Sequence, residues 1–238
     1  MNLIAITENL WVAHQPLRFL GLEIGTRMTV VRLSSGELVL ISPIALDELN
    51  RSALDALGPV GHIIAPNLFH HLFVTQAKSL YPDAMVWGVD GLADKCPDLK
   101  LDALVNQSGS FAHELDYLPF EGFAAFLPTG IAVANETVFF HGPSRTLILT
   151  DVAFNFDQNS SLAVRVATRM LGSYDSLQPT VIEKWGTRDK RKVAASVRRV
   201  LAWDFDRVIL THGSLVETNG KSAFKAGYVW FLGQSLTV

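Results

Sequence analysis

The sequence has only one cysteine, Cys96, among its 238 residues. A single cysteine excludes an intramolecular disulfide and any zinc site that is built from several cysteines. Charged residues are also sparse, at 18%, and the net charge is −3 at pH 7. A weakly acidic chain has no general electrostatic attraction for nucleic acid or for anionic membranes. We therefore expect a small-molecule substrate or ligand, and neither a nucleic-acid partner nor a membrane partner.

Long hydrophobic runs are absent as well. No window approaches the roughly 18 uncharged apolar residues that a membrane-spanning helix needs. The N-terminal stretch lacks the basic start and the apolar run of a signal peptide, and one cysteine fits a reducing compartment. These absences predict a soluble, cytoplasmic protein.

Two common catalytic motifs are also missing, which narrows the class of enzyme. The chain contains no glycine-rich phosphate loop and no G-x-S-x-G nucleophile elbow. Nucleotide binding and serine-hydrolase chemistry are therefore disfavoured. Hydrophobic residues, by contrast, are plentiful. They make up 49% of the sequence, which is enough for a substantial core.

The pattern of apolar residues predicts an α/β protein. Residues 10–41 read as a meander of short strands, and residues 45–88 alternate strand and helix in the manner of a βαβ unit. Further strands and helices follow, whereas residues 98–110 and 179–189 read as a loop and a connector. Three strands are apolar throughout, which is typical of sheets covered on both faces. We expect a four-layer αββα sandwich of two mixed sheets with outer helices.

Each of those three apolar strands leads to a residue that can bind a metal. The segments are HIIAPNLFHH, ending in His70 and His71, RTLILTD, ending in Asp151, and DRVILTHG, which contains His212. Ligands in open α/β sheets gather at the carboxyl ends of strands, so the three ends can converge on one site. Imidazole nitrogens and one carboxylate suit zinc, iron or manganese. We predict one divalent ion bound by these four residues.

This order of motifs resembles the metallo-β-lactamase superfamily of hydrolases. The segments ENLWVAHQPLRFLGLEIGTRMTVVRL and HGPSRTLILTDVAFNF, with the PN–HH turn, are also similar to a bacterial family of unknown function within it. The resemblance covers essentially the whole chain. It implies a single metallo-β-lactamase-like domain over residues 1–238.

The match to the superfamily's first motif, T-H-x-H-x-D-H, is incomplete. Aligned on the last two positions, His70 replaces the aspartate and His71 matches the final histidine, while Pro66 and Leu68 fall on the earlier histidines. A one-residue gap brings Asn67 into the motif instead. The histidine that the family places one hairpin before the bridging aspartate is absent between residues 132 and 136. The resemblance thus implies a reduced metal site, mononuclear or absent, rather than a two-metal site.

Two functions agree with this pattern. One is a metal-dependent hydrolase of an ester or thioester, in which Asp151 and His70 are catalytic and His70 is a fourth ligand or a general base. The other is an inactive member of the fold that binds a small molecule or a protein. Asn67, His141 and Arg145 are candidates for substrate binding. His141 is otherwise a buried core histidine, and Arg145 a loop arginine paired with an acid.

Overall fold

The computed structural model describes residues 3–236, and its first half is built around a seven-stranded sheet. The elements are β1 (Ile4–Thr7), β2 (Leu10–Gln15), β3 (Arg18–Phe19), β4 (Leu22–Glu23), β5 (Thr26–Arg32), β6 (Leu38–Ile41), α1 (Glu48–Leu57), β7 (Val60–Ile64), α2 (Val74–Leu80), β8 (Met85–Gly88), α3 (Leu92–Lys95) and β9 (Ala103–Leu104). The order in the sheet is β1-β2-β5-β6-β7-β8-β9. Strands β1 to β6 pair antiparallel, and β6 to β9 pair parallel. Parallel neighbours need a crossover, which α1 and α2 supply.

The second half is built around a five-stranded sheet. Its elements are β10 (Gly109–Phe111), β11 (Leu115–Phe120), β12 (Ala124–Leu127), β13 (Gly130–Val133), β14 (Glu136–His141), β15 (Thr146–Leu149), α4 (Leu162–Leu171), α5 (Val181–Gly186), α6 (Lys190–Ala202), β16 (Arg207–Leu210) and α7 (Gly220–Leu232). The order is β10-β11-β14-β15-β16, and only β15 and β16 are parallel. Strands β3 and β4, and likewise β12 and β13, form separate hairpins.

Successive side chains of the central strands β15 and β16 point to opposite faces of the second sheet, and each face packs into a different core. Ile148 and Ile209 join a core with the first sheet, whereas the neighbouring Leu147 and Val208 pack with the apolar faces of α6 and α7. Buried residues of α1 and α2, such as Leu54, complete the core on the far side of the first sheet. The expected αββα sandwich of two mixed sheets is confirmed.

Several short elements differ from the sequence-based expectation. Residues 98–110, read as a loop, contain β9 and part of β10, and residues 179–189, read as a connector, contain α5. Strand β9 is too short to show a period. Helix α5 begins with a capping box in which Thr180 and Glu183 bond to each other's backbone, and its T-x-x-E spacing is a visible start signal. Among the described residues, no helix is long and apolar enough to cross a membrane.

Candidate metal centre

The carboxyl ends of three strands bring His70, Asp151 and His212 together. Strands β15 and β16 are parallel neighbours, so the residues after them, Asp151 and His212, emerge at the same edge of the second sheet. His70 comes from the first sheet, in the turn between β7 and α2. One donor atom from each of the three residues lies within 4.8 Å of the other two. The site therefore lies where the two sheets meet.

The spacing of the three side chains fits one metal ion. His70 Nε2 lies 3.2 Å from Asp151 Oδ2 and 3.3 Å from His212 Nε2, and His212 Nε2 lies 3.5 Å from Asp151 Oδ1. Ligand atoms about 2.1 Å from a tetrahedral ion are about 3.4 Å apart. The three separations are close to that value, although the two histidines face different oxygens of the Asp151 carboxylate, Oδ2 for His70 and Oδ1 for His212. The donor set of two imidazoles and one carboxylate is also one that zinc and iron accept.

Both histidines are oriented by a contact on their other ring nitrogen. His212 Nδ1 is 2.6 Å from the Gly25 carbonyl oxygen, which can only accept a hydrogen bond, so Nδ1 carries the proton. His70 Nδ1 is 2.9 Å from Ser42 Oγ, at the end of β6. Such contacts hold the ring and leave Nε2 as the ligand atom. Gly25, just before β5 of the first sheet, thus positions the His212 ring, which belongs to the second sheet.

Asn67 and Glu136 fix the carboxylate and the turn around it. The Asn67 Nδ2 amide donates to Asp151 Oδ2 at 2.8 Å and to Glu136 Oε2 at 3.2 Å. Its Oδ1 accepts the backbone N–H groups of Phe69 and His70, which is the Asx geometry that shapes a turn. Glu136 accepts the backbone N–H of Asp151 at 2.7 Å. The loop and the strand tip are therefore joined by buried bonds.

Burial and the charges of neighbouring residues shift the pKa values of the four ionisable groups in the site. Burial works against ionisation of Asp151, but the neighbouring histidines hold its pKa down, to about 2. Burial disfavours a charged His70, yet the carboxylates of Asp151 and Glu136 outweigh it and raise its pKa. Burial, followed by the charge of His70, lowers the pKa of His212 to about 4. For Glu136, burial and then Asp151 raise the pKa to about 7.

Arg27 ties the loop that carries His212 to the first sheet. Its guanidinium donates to the carbonyl oxygens of Leu210 and Gly213, on either side of His212. Gly213 has a φ of +82°, and a Cβ there would overlap the backbone of Asn155. The glycine after the histidine is therefore required by both backbone conformation and space.

A cavity of about 340 Å³ opens beside the three residues. All three line it, as does Ser42, and most of the remaining wall is apolar. This volume lies within the range of small-molecule pockets. A ligand in the cavity would reach the metal-binding atoms directly.

The structure separates His71 from the other predicted ligands. Its Nδ1 lies 3.4 Å from Cys96 Sγ, and the ring forms part of the cavity wall. Neighbouring side chains leave a turn in different directions, and only His70 lies with Asp151 and His212. A ligand role for His71 stays a prediction.

The three candidates for substrate binding lie outside the cavity wall. Asn67 is fully buried and both ends of its amide are bonded within the protein. His141 bonds to Ser144 at the opposite end of β14 from Glu136, roughly 16 Å away at about 3.3 Å per residue. Arg145 pairs with Asp204 at 3.0 Å, before β15 rather than after it. All three make contacts within the protein, and their assignment to substrate binding stays a prediction.

Sequence reasoning did not single out Glu136, Ser42 or Gly25. Ser42 follows the apolar strand β6, so the strand-end rule that selects Asp151 also applies to it. Glu136 and Gly25 carry no comparable signal. The contact of His212 with Gly25 joins residues that are far apart in the chain, and only the packing of the two sheets reveals it.

Several solved structures share this architecture. A metallo-β-lactamase from Pontibacter korlensis has a TM-score of 0.63, with 12% identity over 98% of both chains. The metallo-β-lactamase FIM-1 from Pseudomonas aeruginosa, in its mono-zinc form, has a TM-score of 0.62, with 11% identity over 98% of this chain and 94% of that chain. The metal-soaked Flv1 flavodiiron core from Synechocystis sp. PCC6803 has a TM-score of 0.64, with 12% identity over 98% of this chain and 60% of that chain. The chain therefore has the metallo-β-lactamase fold.

A match to a family sequence model shows which family this chain belongs to. The model described as "Domain of unknown function (DUF4336)" matches residues 7–184, and the chain belongs to that family. The matched span includes His70 and Asp151 and ends before His212. No curated protein sequence matches the chain.

Proposed function

We propose that this protein is a hydrolase that binds one divalent metal ion and cleaves an ester or a thioester. The observation that carries the proposal is the group formed by His70, Asp151 and His212, in which one donor atom from each residue lies within 4.8 Å of the other two. Zinc, iron and manganese all suit two imidazoles and one carboxylate. A divalent ion bound there supplies Lewis acidity, which activates water and polarises carbonyl groups.

The protein's own residues support this chemistry by holding the three ligands in place. Gly25 holds the His212 ring, Ser42 holds the His70 ring, and Asn67 holds the Asp151 carboxylate. Hydrolysis adds water across the acyl bond. The water oxygen joins the acyl carbon, the C–O or C–S bond breaks, and a proton goes to the leaving oxygen or sulfur. A site with fixed ligands performs this reaction with little reorganisation.

The hydrogen bonds of Glu136, the acidic residue beside Asp151, support one ion rather than two. Both oxygens of Glu136 already accept backbone N–H groups, those of Thr150 at 2.8 Å and Asp151 at 2.7 Å. Asn67 is likewise fully bonded. A second ion beside Asp151 would have to break these buried bonds, which costs free energy for each group left unpaired.

The test is the metal content of the purified protein together with the binding of added zinc. We expect one zinc ion per chain, and His212→Ala should abolish both zinc binding and hydrolysis of acyl esters and thioesters. His141→Ala is the matched control, because it removes a buried histidine at the far end of β14. It should retain zinc binding.

Two results would contradict the proposal. Two tightly bound ions per chain would refute the mononuclear site. Failure of the unmodified protein to bind any divalent ion would refute metal-dependent hydrolysis. In that case, ligand binding that does not change when a chelator is added would favour an inactive binding module.

A further inference from the structure

The wall of the cavity beside His70, Asp151 and His212 is mostly carbon. Phenylalanine rings stand around it at Phe69, Phe123 and Phe154, and small apolar residues fill the gaps between them. Covering an apolar wall of this kind with an apolar ligand group removes both surfaces from water, which stabilises the complex. The wall therefore favours an apolar ligand group over a polar one.

Most polar side chains in the wall already have partners in the protein. Ser42 bonds to His70, Glu183 accepts from the backbone and hydroxyl of Thr180, and Arg18 pairs with Glu23 at 3.0 Å. Lys95 also lines the cavity, and its ammonium donates to the carbonyl oxygen of Leu68. Polar groups whose bonds are already satisfied have little to offer a polar ligand. We therefore expect the polar end of a ligand to lie at the candidate metal centre.

The hairpin of β12 and β13 leaves the space open. Ala125, Leu127 and Ala132 face the cavity. The residues between them point to the other side, where Phe126 is 58% exposed and Val133 is 50% exposed. At the centre of the hairpin, the cross-strand pair Ala125 and Ala132 faces inward while the larger Phe126 and Val133 face solvent, which is the reverse of the usual alternation. Small inward residues on a sheet face are what keep a cavity from being filled by the protein itself.

We infer that the cavity binds an aliphatic acyl chain of the substrate, with the acyl carbon at the metal centre. The substrate class is therefore a fatty acyl ester or thioester rather than a polar or highly charged acyl compound. The reaction assigned to this substrate rests on the proposed function. The binding of the chain does not, because the apolar wall is present whether or not a metal ion is bound.

The test uses neutral primary alcohols, 1-butanol, 1-hexanol and 1-octanol, as probes of the cavity in calorimetric titrations. Affinity should rise by up to about fourfold for each added methylene, the value for complete burial. Ala132→Phe, which places a ring in the cavity, should weaken 1-octanol binding at least tenfold. Ala125→Phe, on the neighbouring strand, should do the same. Val133→Phe, on the outward face of the same hairpin, is the matched control and should bind 1-octanol like the unmodified protein.

Zinc titration of the same proteins separates the two proposals. If the protein binds zinc but its affinity for the alcohols does not rise with chain length, the acyl-chain inference is wrong and the proposed metal site stands. If the alcohols bind with the expected dependence but zinc does not, the cavity is correctly assigned and the hydrolase proposal fails. Equal weakening of 1-octanol binding by Ala132→Phe and Val133→Phe would also overturn the inference, because it would place the probe on the outer face. Cooperative thermal unfolding of the Ala132→Phe protein, followed by circular dichroism, shows that the variant is folded whether or not it binds zinc.

Discussion

Replacement of Asn67 by alanine should damage both the stability and the metal affinity of this protein. The side chain is fully buried and joins the turn at residues 67–70 to the tip of β15. Its Oδ1 accepts from Phe69 and His70, and its Nδ2 donates to Asp151 and Thr150, all at 2.8 or 2.9 Å. Alanine removes every one of these bonds and changes no ligand atom.

The expected loss of stability follows from the groups that are left behind. Two backbone N–H groups lose their acceptor, and each unsatisfied buried group costs about 1–3 kcal/mol. Water entering the vacated space recovers part of this cost. We expect a net loss of about 3 kcal/mol in the free energy of unfolding. For a chain of this size that lowers the Tm by roughly 6–12 °C.

The expected loss of metal affinity follows from the freed carboxylate. Loss of a contact that orients a ligand typically costs 10–100-fold in metal affinity. Because Asn67 orients Asp151 directly and His70 through the turn, we expect zinc affinity to fall by about that factor. Thermal unfolding of the metal-free protein and zinc titration by calorimetry measure the two effects separately.

Asn50→Ala provides the matched control. Asn50 is also fully buried, but its side chain donates to Asp47 at the start of α1. The control should lower the Tm and leave zinc affinity within about twofold of the unmodified protein. If Asn67→Ala keeps the zinc affinity of the unmodified protein, the role assigned to this amide in holding Asp151 is wrong. If both variants weaken zinc binding equally, the effect is one of general stability.

Three further predictions concern single residues. Ser42→Ala removes the contact that orients the His70 ring, and zinc affinity should fall at least about tenfold; unchanged affinity in a zinc titration would contradict this role. Gly213→Ala forces a side chain into the left-handed region, which costs more than about 1 kcal/mol, and thermal unfolding should show a loss larger than that. Arg27 Nε donates to His14 Nδ1 at 3.1 Å, and partial burial, followed by the charge of Arg27, lowers the pKa of His14 to about 4 from the ordinary value of 6.5. The stability contributed by neutral His14 is therefore present above pH 6.5 and is lost as the pH falls toward 4. His14→Gln should flatten the decline of Tm over that interval, and a parallel decline in both proteins would show that His14 does not contribute.

The sequence by itself predicts the layers of this fold because period-2 alternation and apolar strands are local properties. Strands such as β15 and β16 are recognisable without their neighbours, and the residues that follow them, Asp151 and His212, are candidates by position alone. Short elements such as α5 and β9 were not predicted, since they contain too few residues to establish a period.

Only the tertiary structure decides which side chains share the site. Whether His70 or His71 faces the strand tips depends on the turn that Asn67 shapes through its bonds to Phe69 and His70. The antiparallel direction of β14 brings Glu136 to the metal centre and carries His141 to the opposite end of the sheet. The bonds within the Asn67 turn are local, but its position against β15 and the direction of β14 depend on contacts between residues far apart in the chain. No local pattern encodes the packing of one sheet against the other.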